Sequence, residues 1–234
     1  MDHPLIGADR RIERADKHLR EIIAEVEIIR QAQYDSMIVK HDPKTQKISM
    51  DITKTIIPMC IVLAVSDCIH NFRSALDYII YELAKADSGT VQRDTQFPIE
   101  SSPEGFRSKV GRYLKGLTSE HINAVETYQP YKGVDWTKTL RDISNPDKHR
   151  ELTVVEGDVM KGFTFKCDHP GSFDGLPGKV FHNAGRGGAF DIHLEREYAL
   201  SITFSDGLPV IETLDVMKSQ IAATVEMFKP EFKL

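Results

Sequence analysis

The sequence predicts an α+β fold that is mainly helical, with a long antiparallel helix pair, shorter helices and a β-rich C-terminal portion. The helix pair is predicted from two segments, near 9–34 and 58–86, in which apolar residues recur in steps of three and four. The β-rich portion is predicted because eight of the 15 glycines fall within 157–188, among β-prone runs. We therefore divide the chain into a helical portion, 1–150, and a β-rich portion, 151–234, which ends in a helix. The alternative is that the two portions pack together as one domain.

The first predicted helix spans about residues 9–34. Its apolar seam is formed by Ile12, Ala15, Leu19, Ile22, Val26 and Ile29. We interpret this seam as core packing, since it forms one face of an amphipathic helix. Two short β-prone runs, 37–39 and 47–52, follow on either side of a turn at 42–44, and this pattern favours a small hairpin near 37–52.

The second predicted helix, 58–86, is the most informative segment. It begins at Pro58, whose fixed φ suits a first helical turn. Its apolar seam is formed by Val65, Ile69, Phe72, Leu76, Ile79 and Leu83. Because this seam has the same spacing as that of the first helix, we expect the two helices to pair antiparallel and bury both seams.

Shorter elements follow the helix pair. Helices are predicted at 103–110, 119–128 and 135–144. We expect the last of these to end near Asn145-Pro146, because proline disfavours the helical conformation of the residue before it. Strands are predicted at 152–155, 162–167 and 198–204. A final amphipathic helix has one apolar face, formed by Leu214, Met217, Ile221, Val225 and Phe228.

Composition indicates a globular protein, because 41% of the 234 residues are hydrophobic and 28% are charged. The net charge of −5 argues against a dedicated duplex-DNA binder, which needs a basic excess, but it is compatible with a local basic patch. The N-terminal residues are too charged for a signal peptide, and no apolar run approaches the roughly 18 residues of a membrane span. The three cysteines suggest a reducing compartment, so we expect a cytoplasmic protein without a membrane segment.

The second helix has a polar stripe beside its apolar seam. His70, Arg73 and Asp77 are neighbours at helical spacing, so arginine and aspartate can form an ion pair that tunes the histidine. These three residues are candidates for a catalytic site, although the pattern does not specify a reaction. The alternative is a buried polar network that fixes how helices dock.

A second cluster of ionisable residues follows the predicted helix stop. Lys148, His149 and Arg150 can hold a phosphate or carboxylate, and His149 is a further catalytic candidate. The alternative is a solvated loop with ordinary charges. If the preceding helix docks on the second helix, Arg73 joins these three as a ligand-binding residue in one cleft.

We expect no metal and no cofactor. Four residues offer zinc-ligand chemistry, but their spacing matches no compact ligand pattern: Cys167, His169, His182 and His193. The glycine run at 185–188 lacks the ending of a phosphate-binding loop, so we interpret it as a flexible hairpin tip.

Four motifs occur in order between residues 56 and 150. They are HNFRSALD at 70–77, TQFPI at 95–99, QPY at 129–131, and Asn145 followed by DKHR at 147–150. As a set they resemble an uncharacterised bacterial protein family. That resemblance implies no particular activity.

A more distant resemblance is to HEPN domains. These are helical modules that often act as ribonucleases, with an arginine followed four to six residues later by a histidine on one helix. Arg73 takes the arginine position, but Tyr78 stands where the histidine would be. Tyrosine is a poor general base at neutral pH, which argues against ribonuclease activity. The pair Arg141 and His149 also fails the spacing.

Two functional hypotheses follow, and whether the chain is an enzyme stays open between them. The first is a HEPN-like protein that binds or processes RNA or a nucleotide, as a homodimer that faces two main helices across one cleft. The second is a non-enzymatic module that binds a partner protein or a small anionic ligand.

Overall fold

The computed structural model describes part of the chain at residue level. The described residues are 2–35, 38–42, 47–51, 56–149, 154–157, 160–167, 173–175, 192–198, 201–204 and 206–232. The six α-helices in these ranges are α1 (Ile6–Asp35), α2 (Met59–Ser88), α3 (Pro103–Tyr113), α4 (Ser119–Glu126), α5 (Asp135–His149) and α6 (Val210–Phe228). The prediction of a mainly helical fold is therefore confirmed.

Local chemistry explains where several helices begin and end. The Ser102 side chain accepts a hydrogen bond from the Gly105 N–H at the start of α3. Thr118 accepts a hydrogen bond from the His121 N–H in the same way at the start of α4. Gly89 follows α2 with φ of 67°, a left-handed conformation that glycine adopts at no steric cost.

α2 is the central helix of the core. It packs against α5 and α6, and its buried residues are Ile61, Val65, Cys68, Ile69, Phe72, Ala75, Leu76, Ile79, Ile80, Leu83 and Ala84. All six positions of the predicted seam are among them. The apolar face of α6 is buried as well.

α1 and α2 run antiparallel along their contact. Tyr78 lies against Gly7, Ser74 bonds Arg11, and Cys68 donates to the carbonyl of Ala15 at 3.2 Å. Residue numbers thus rise along α1 while they fall along α2, as antiparallel pairing requires. The α1 seam is buried from Ala15 to Ile29, whereas Ile12 is half-buried.

The prediction that α5 ends near Asn145-Pro146 is wrong. The helix continues to His149. Proline removes one backbone donor and crowds the preceding turn, but this biases a helix to stop there rather than forcing it. The backbone of the DKH residues is therefore part of α5.

The described strands are short. β1 (Ile38–Asp42) and β2 (Lys47–Asp51) pair antiparallel, on the two runs expected to form a hairpin. β3 (Val154–Gly157) pairs with β7 (Ser201–Phe204). β4 (Met160–Cys167) lies between β5 (Phe173–Gly175) and β6 (Ile192–Tyr198). Long stretches between these strands lie outside the described residues, so the β-rich C-terminal portion is not established as a whole and stays a prediction.

The chain forms two compact units. The first comprises 1–23, 58–153 and 210–234, and the second comprises 24–57 and 154–209. The final helix α6 thus belongs to the helical unit. The division of the sequence at residue 150 stays a prediction, and the contacts considered below all lie within the first unit.

α2 is also the one helix in the described ranges that is long and apolar enough to cross a membrane by length and composition. The buried core helix of a soluble protein passes the same test. Because α2 packs against α5 and α6 and buries its seam, a soluble protein is compatible with this finding. The cytoplasmic location stays a prediction.

Candidate functional site

Two residues of the α2 polar stripe hold the main chain of Phe97. Arg73 Nη2 donates to the Phe97 carbonyl at 3.1 Å, and the Phe97 N–H donates to Asp77 Oδ1 at 2.8 Å. The same Arg73 nitrogen lies 4.0 Å from Asp77 Oδ1. Both backbone hydrogen-bonding groups of Phe97, which lies in an irregular segment, are thus satisfied by side chains.

Gln129 holds the next part of that segment. Its side chain is fully buried, and Nε2 donates to the Pro98 carbonyl at 2.8 Å while Oε1 accepts from the Glu100 N–H at 2.9 Å. Nε2 also lies 3.2 Å from the Val125 carbonyl of α4. From α5, Arg141 donates to the Ser101 hydroxyl. The segment is therefore anchored to α2, α4 and α5.

Three of the four sequence motifs meet at this point. HNFRSALD supplies Arg73 and Asp77, TQFPI supplies the main chain, and QPY supplies Gln129. We call these residues, 73, 77, 97–100 and 129, the Phe97 clamp. The sequence analysis identified the motifs but did not predict that they touch, because side chains that bond to backbone groups leave no periodic signal.

The guanidinium of Arg73 is largely enclosed. Its side chain is 15% exposed, and its Nε is buried without a hydrogen-bond partner. Burial lowers the pKa of Arg73, and the charge of Asp77 acts in the opposite direction. Arginine nevertheless stays charged at neutral pH, because its ordinary pKa lies far above neutrality. The clamp thus contains a fixed positive charge whose buried Nε donor has no partner.

His70 is exposed, whereas Arg73 and Asp77 both form hydrogen bonds with the main chain of Phe97. Asp77 thus lies 4.0 Å from Arg73 and also accepts a hydrogen bond from the backbone of Phe97. Both interpretations of the polar stripe therefore stay predictions.

The remaining predicted site residues lie outside what the structure describes. The side chains of Lys148 and His149 and the whole of Arg150 are among them. Their convergence with Arg73 stays a prediction. The same holds for the side chains of Cys167, His169, His182 and His193, and for the glycine run. Within the described part of the chain, no group of three or more His, Cys, Asp or Glu residues could hold a metal ion.

Tyr78, at the position of the HEPN histidine, takes part in the packing of α1 on α2. The Arg11 guanidinium lies 4.1 Å from the centroid of its ring. On the same side, a Cβ added to Gly7 would lie 2.6 Å from the ring atom Cε1. Arg11 is itself held by the Ser74 hydroxyl at 2.5 Å. The ring is therefore fixed between the two helices.

A histidine that the sequence analysis missed joins three distant parts of the helical unit. His121 Nδ1 lies 2.7 Å from Asp87 Oδ2, and Nε2 lies 3.3 Å from Glu231 Oε2. Asp87 also accepts from the Thr118 N–H at 2.7 Å. Burial lowers the pKa of His121, but the hydrogen bonds and charges of both carboxylates outweigh burial and the net shift is upward. No local pattern marks this cluster, because its members are far apart in sequence.

Comparisons with known proteins found no match to a family model, a curated protein or a solved structure. The resemblances drawn from the motifs therefore stay predictions. Function has to be inferred from the residues themselves.

Proposed function

We propose that this protein binds RNA or a nucleotide as a HEPN-like protein, with an anionic group held by Arg73 and by Lys148, His149 and Arg150. We propose binding rather than cleavage, because Tyr78 stands in the place of the HEPN histidine and is packed beneath Arg11. Within this proposal the protein is a homodimer in solution.

The observation that carries the proposal is that the buried Nε of the Arg73 guanidinium has no hydrogen-bond partner. Buried side-chain donors without a partner are rare, and they mark places where a water, an ion or a ligand atom belongs. Arginine presents a planar set of donors that suits phosphate and carboxylate oxygens. The hydrogen bond of Arg73 to Phe97 and its closeness to Asp77 fix the orientation of that set.

The alternative is a non-enzymatic module that binds a partner protein or a small anionic ligand. It is favoured by the Phe97 clamp, in which Arg73 and Asp77 hold the protein's own backbone. In that case the clamp shapes a surface, and the surface is what a partner binds.

Calorimetric titration with a mononucleotide and a short RNA, between pH 5.5 and 8, tests the proposal. Arg73→Lys keeps the charge but removes the planar fork, so we expect weaker binding with little loss of fold. Asp77→Ala should weaken binding and destabilise the fold, because it leaves the Phe97 N–H without its acceptor and Arg73 without its nearby carboxylate. No binding by the wild type would leave only the alternative.

Gln129→Met is the matched control, because it loosens the same segment from the other side without touching Arg73. For each variant, the loss of nucleotide affinity is compared with its loss of stability. If the two variants show the same ratio, the role of Arg73 is structural.

We also propose that the chain between α5 and α6 forms a β-rich portion. The pairing of β4 with β5 and β6, and of β3 with β7, supports this. Amide hydrogen exchange should then show slow exchange at consecutive positions over 163–165 of β4, where the strand is paired on both sides, and uniformly fast exchange over 154–204 would contradict the proposal.

A further inference from the structure

The C-terminal end of α3 presents a cluster of positive charge around one aromatic ring. Lys109 Nζ lies 5.6 Å and Arg112 Cζ 5.3 Å from the centroid of the Tyr113 ring. These residues are one helical turn or less apart, which places them on one side of α3. Lys115 follows directly after the helix and is exposed, as is Arg112. We call Lys109, Arg112, Tyr113 and Lys115 the α3 basic surface.

The cations of this surface have no carboxylate within ion-pair distance among the described residues. Most other described cations of the helical unit lie within ion-pair distance of a carboxylate. On the same helix Arg107 lies 3.9 Å from Glu104, and on α5 Lys138 lies 2.9 Å from Asp142. In a chain whose net charge is −5, an unpaired basic cluster is a local exception. Its positive potential is therefore available to an anionic partner.

The α3 basic surface adjoins the Phe97 clamp along the chain. The Gln96 N–H donates to the Tyr113 carbonyl at 3.2 Å, one residue before Phe97. Beyond the helix, a Cβ on Gly116 would lie 2.9 Å from Gln92 Cγ, so the chain after α3 packs against the stretch that leads into the clamp. One bound strand can thus contact both places if it carries several phosphates.

We propose that the α3 basic surface binds the backbone of single-stranded RNA, with Tyr113 as a stacking partner for a base. The inference rests on the proposed function and extends it from a nucleotide to a strand. Aromatic rings interleaved with cations are the chemistry of single-strand binding, because bases stack on the ring while the cations neutralise phosphates. An acidic peptide uses the cations but gives the tyrosine ring no base to stack on.

The test compares two double variants that remove the same charge. Lys109→Gln with Arg112→Gln removes two cations of the surface. Lys17→Gln with Arg20→Gln removes two exposed cations of α1 that are paired with acids, and serves as the control. Each changes the net charge from −5 to −7. Thermal melting followed by circular dichroism confirms that both variants are folded.

The readout is fluorescence anisotropy with an oligouridylate of about 12 nucleotides, a typical single-strand site size, titrated between about 50 and 200 mM salt. Calorimetry with uridine monophosphate runs in parallel. We expect the surface variant to bind the oligonucleotide more weakly, with a salt slope shallower by about 1.4, since each phosphate contact on a single strand contributes about 0.7. The α1 control should keep the wild-type slope.

The outcomes separate this inference from the proposed function. If the surface variant loses oligonucleotide affinity but keeps mononucleotide binding, both stand. If it binds the oligonucleotide like the wild type, the α3 surface is refuted while the Arg73 proposal is untouched. If the wild type binds only the oligonucleotide, through α3, the Arg73 proposal fails alone. Equal competition by polyglutamate, or no binding of the oligonucleotide by the wild type, overturns the assignment to RNA.

Discussion

Replacing Gln129 by leucine should destabilise the helical unit by about 2–4 kcal/mol, although leucine is similar in size and apolar. Gln129 is fully buried, and its amide makes three hydrogen bonds to main-chain groups. Leucine can fill the volume but replaces none of these bonds. The cost is therefore set by the backbone groups left behind rather than by a cavity.

Two of the three backbone groups lose their hydrogen-bond partner. The Pro98 carbonyl and the Glu100 N–H bond to the amide at 2.8 and 2.9 Å. The Val125 carbonyl also accepts from the Tyr128 N–H, so it keeps a partner. An unsatisfied buried group costs about 1–3 kcal/mol, and the half-buried Glu100 lies at the low end because water can reach it. Two such groups give the stated range.

Urea unfolding at neutral pH measures this loss as a change in the free energy of unfolding. Gln96→Leu supplies the control, because the side chain of Gln96 is exposed and its backbone bond to Tyr113 survives the substitution. We expect that control to stay within about 0.5 kcal/mol of the wild type. A similarly small change for Gln129→Leu would refute the view that side-chain bonds to the backbone hold the segment.

Three further predictions concern the core, one close contact and pH. Leu76→Ala should cost about 2–5 kcal/mol in the same unfolding assay, because the side chain is fully buried. Gly7→Ala should lower the melting temperature, because its Cβ would lie 2.6 Å from the Tyr78 ring; an unchanged value would refute that contact. The pKa of His121 is raised in the fold, so its contribution to stability is full below about pH 6.5 and is lost as pH rises through the raised value. The stability gap between wild type and His121→Gln should therefore narrow from pH 6 to pH 9, and parallel curves would contradict the assignment.

Helices α1, α2 and α6 could be predicted because each has a periodic apolar signature. The seam of α2 is a repeat of apolar residues such as Val65 and Leu83, and burial of one face is what such a repeat reports. The end of α5 was predicted wrongly because the rule at Pro146 concerns a single hydrogen bond and a local crowding, which the rest of the helix can override.

The contacts at the site could not be predicted in this way. The Phe97 clamp is made by bonds from Arg73, Asp77 and Gln129 to backbone atoms, and a backbone atom is the same in every residue. The sequence therefore shows which side chains are available but not which main-chain segment they hold. A weak signal existed, since a polar residue flanked by apolar ones in a buried helix needs a partner.

The two interpretations of the α2 polar stripe do not exclude each other. An arginine that binds a ligand from a free surface loses side-chain entropy, which reaches about 2 kcal/mol for a long side chain. The bond to Phe97 and the nearby carboxylate of Asp77 have already ordered Arg73, so that entropy is lost on folding instead of on binding. A clamp that is structural in the free protein therefore also prepares its arginine for a ligand. Loosening the clamp should therefore weaken ligand binding through the orientation of Arg73, in proportion to the loss of stability. Arg73→Lys should weaken ligand binding directly, by more than its loss of stability accounts for.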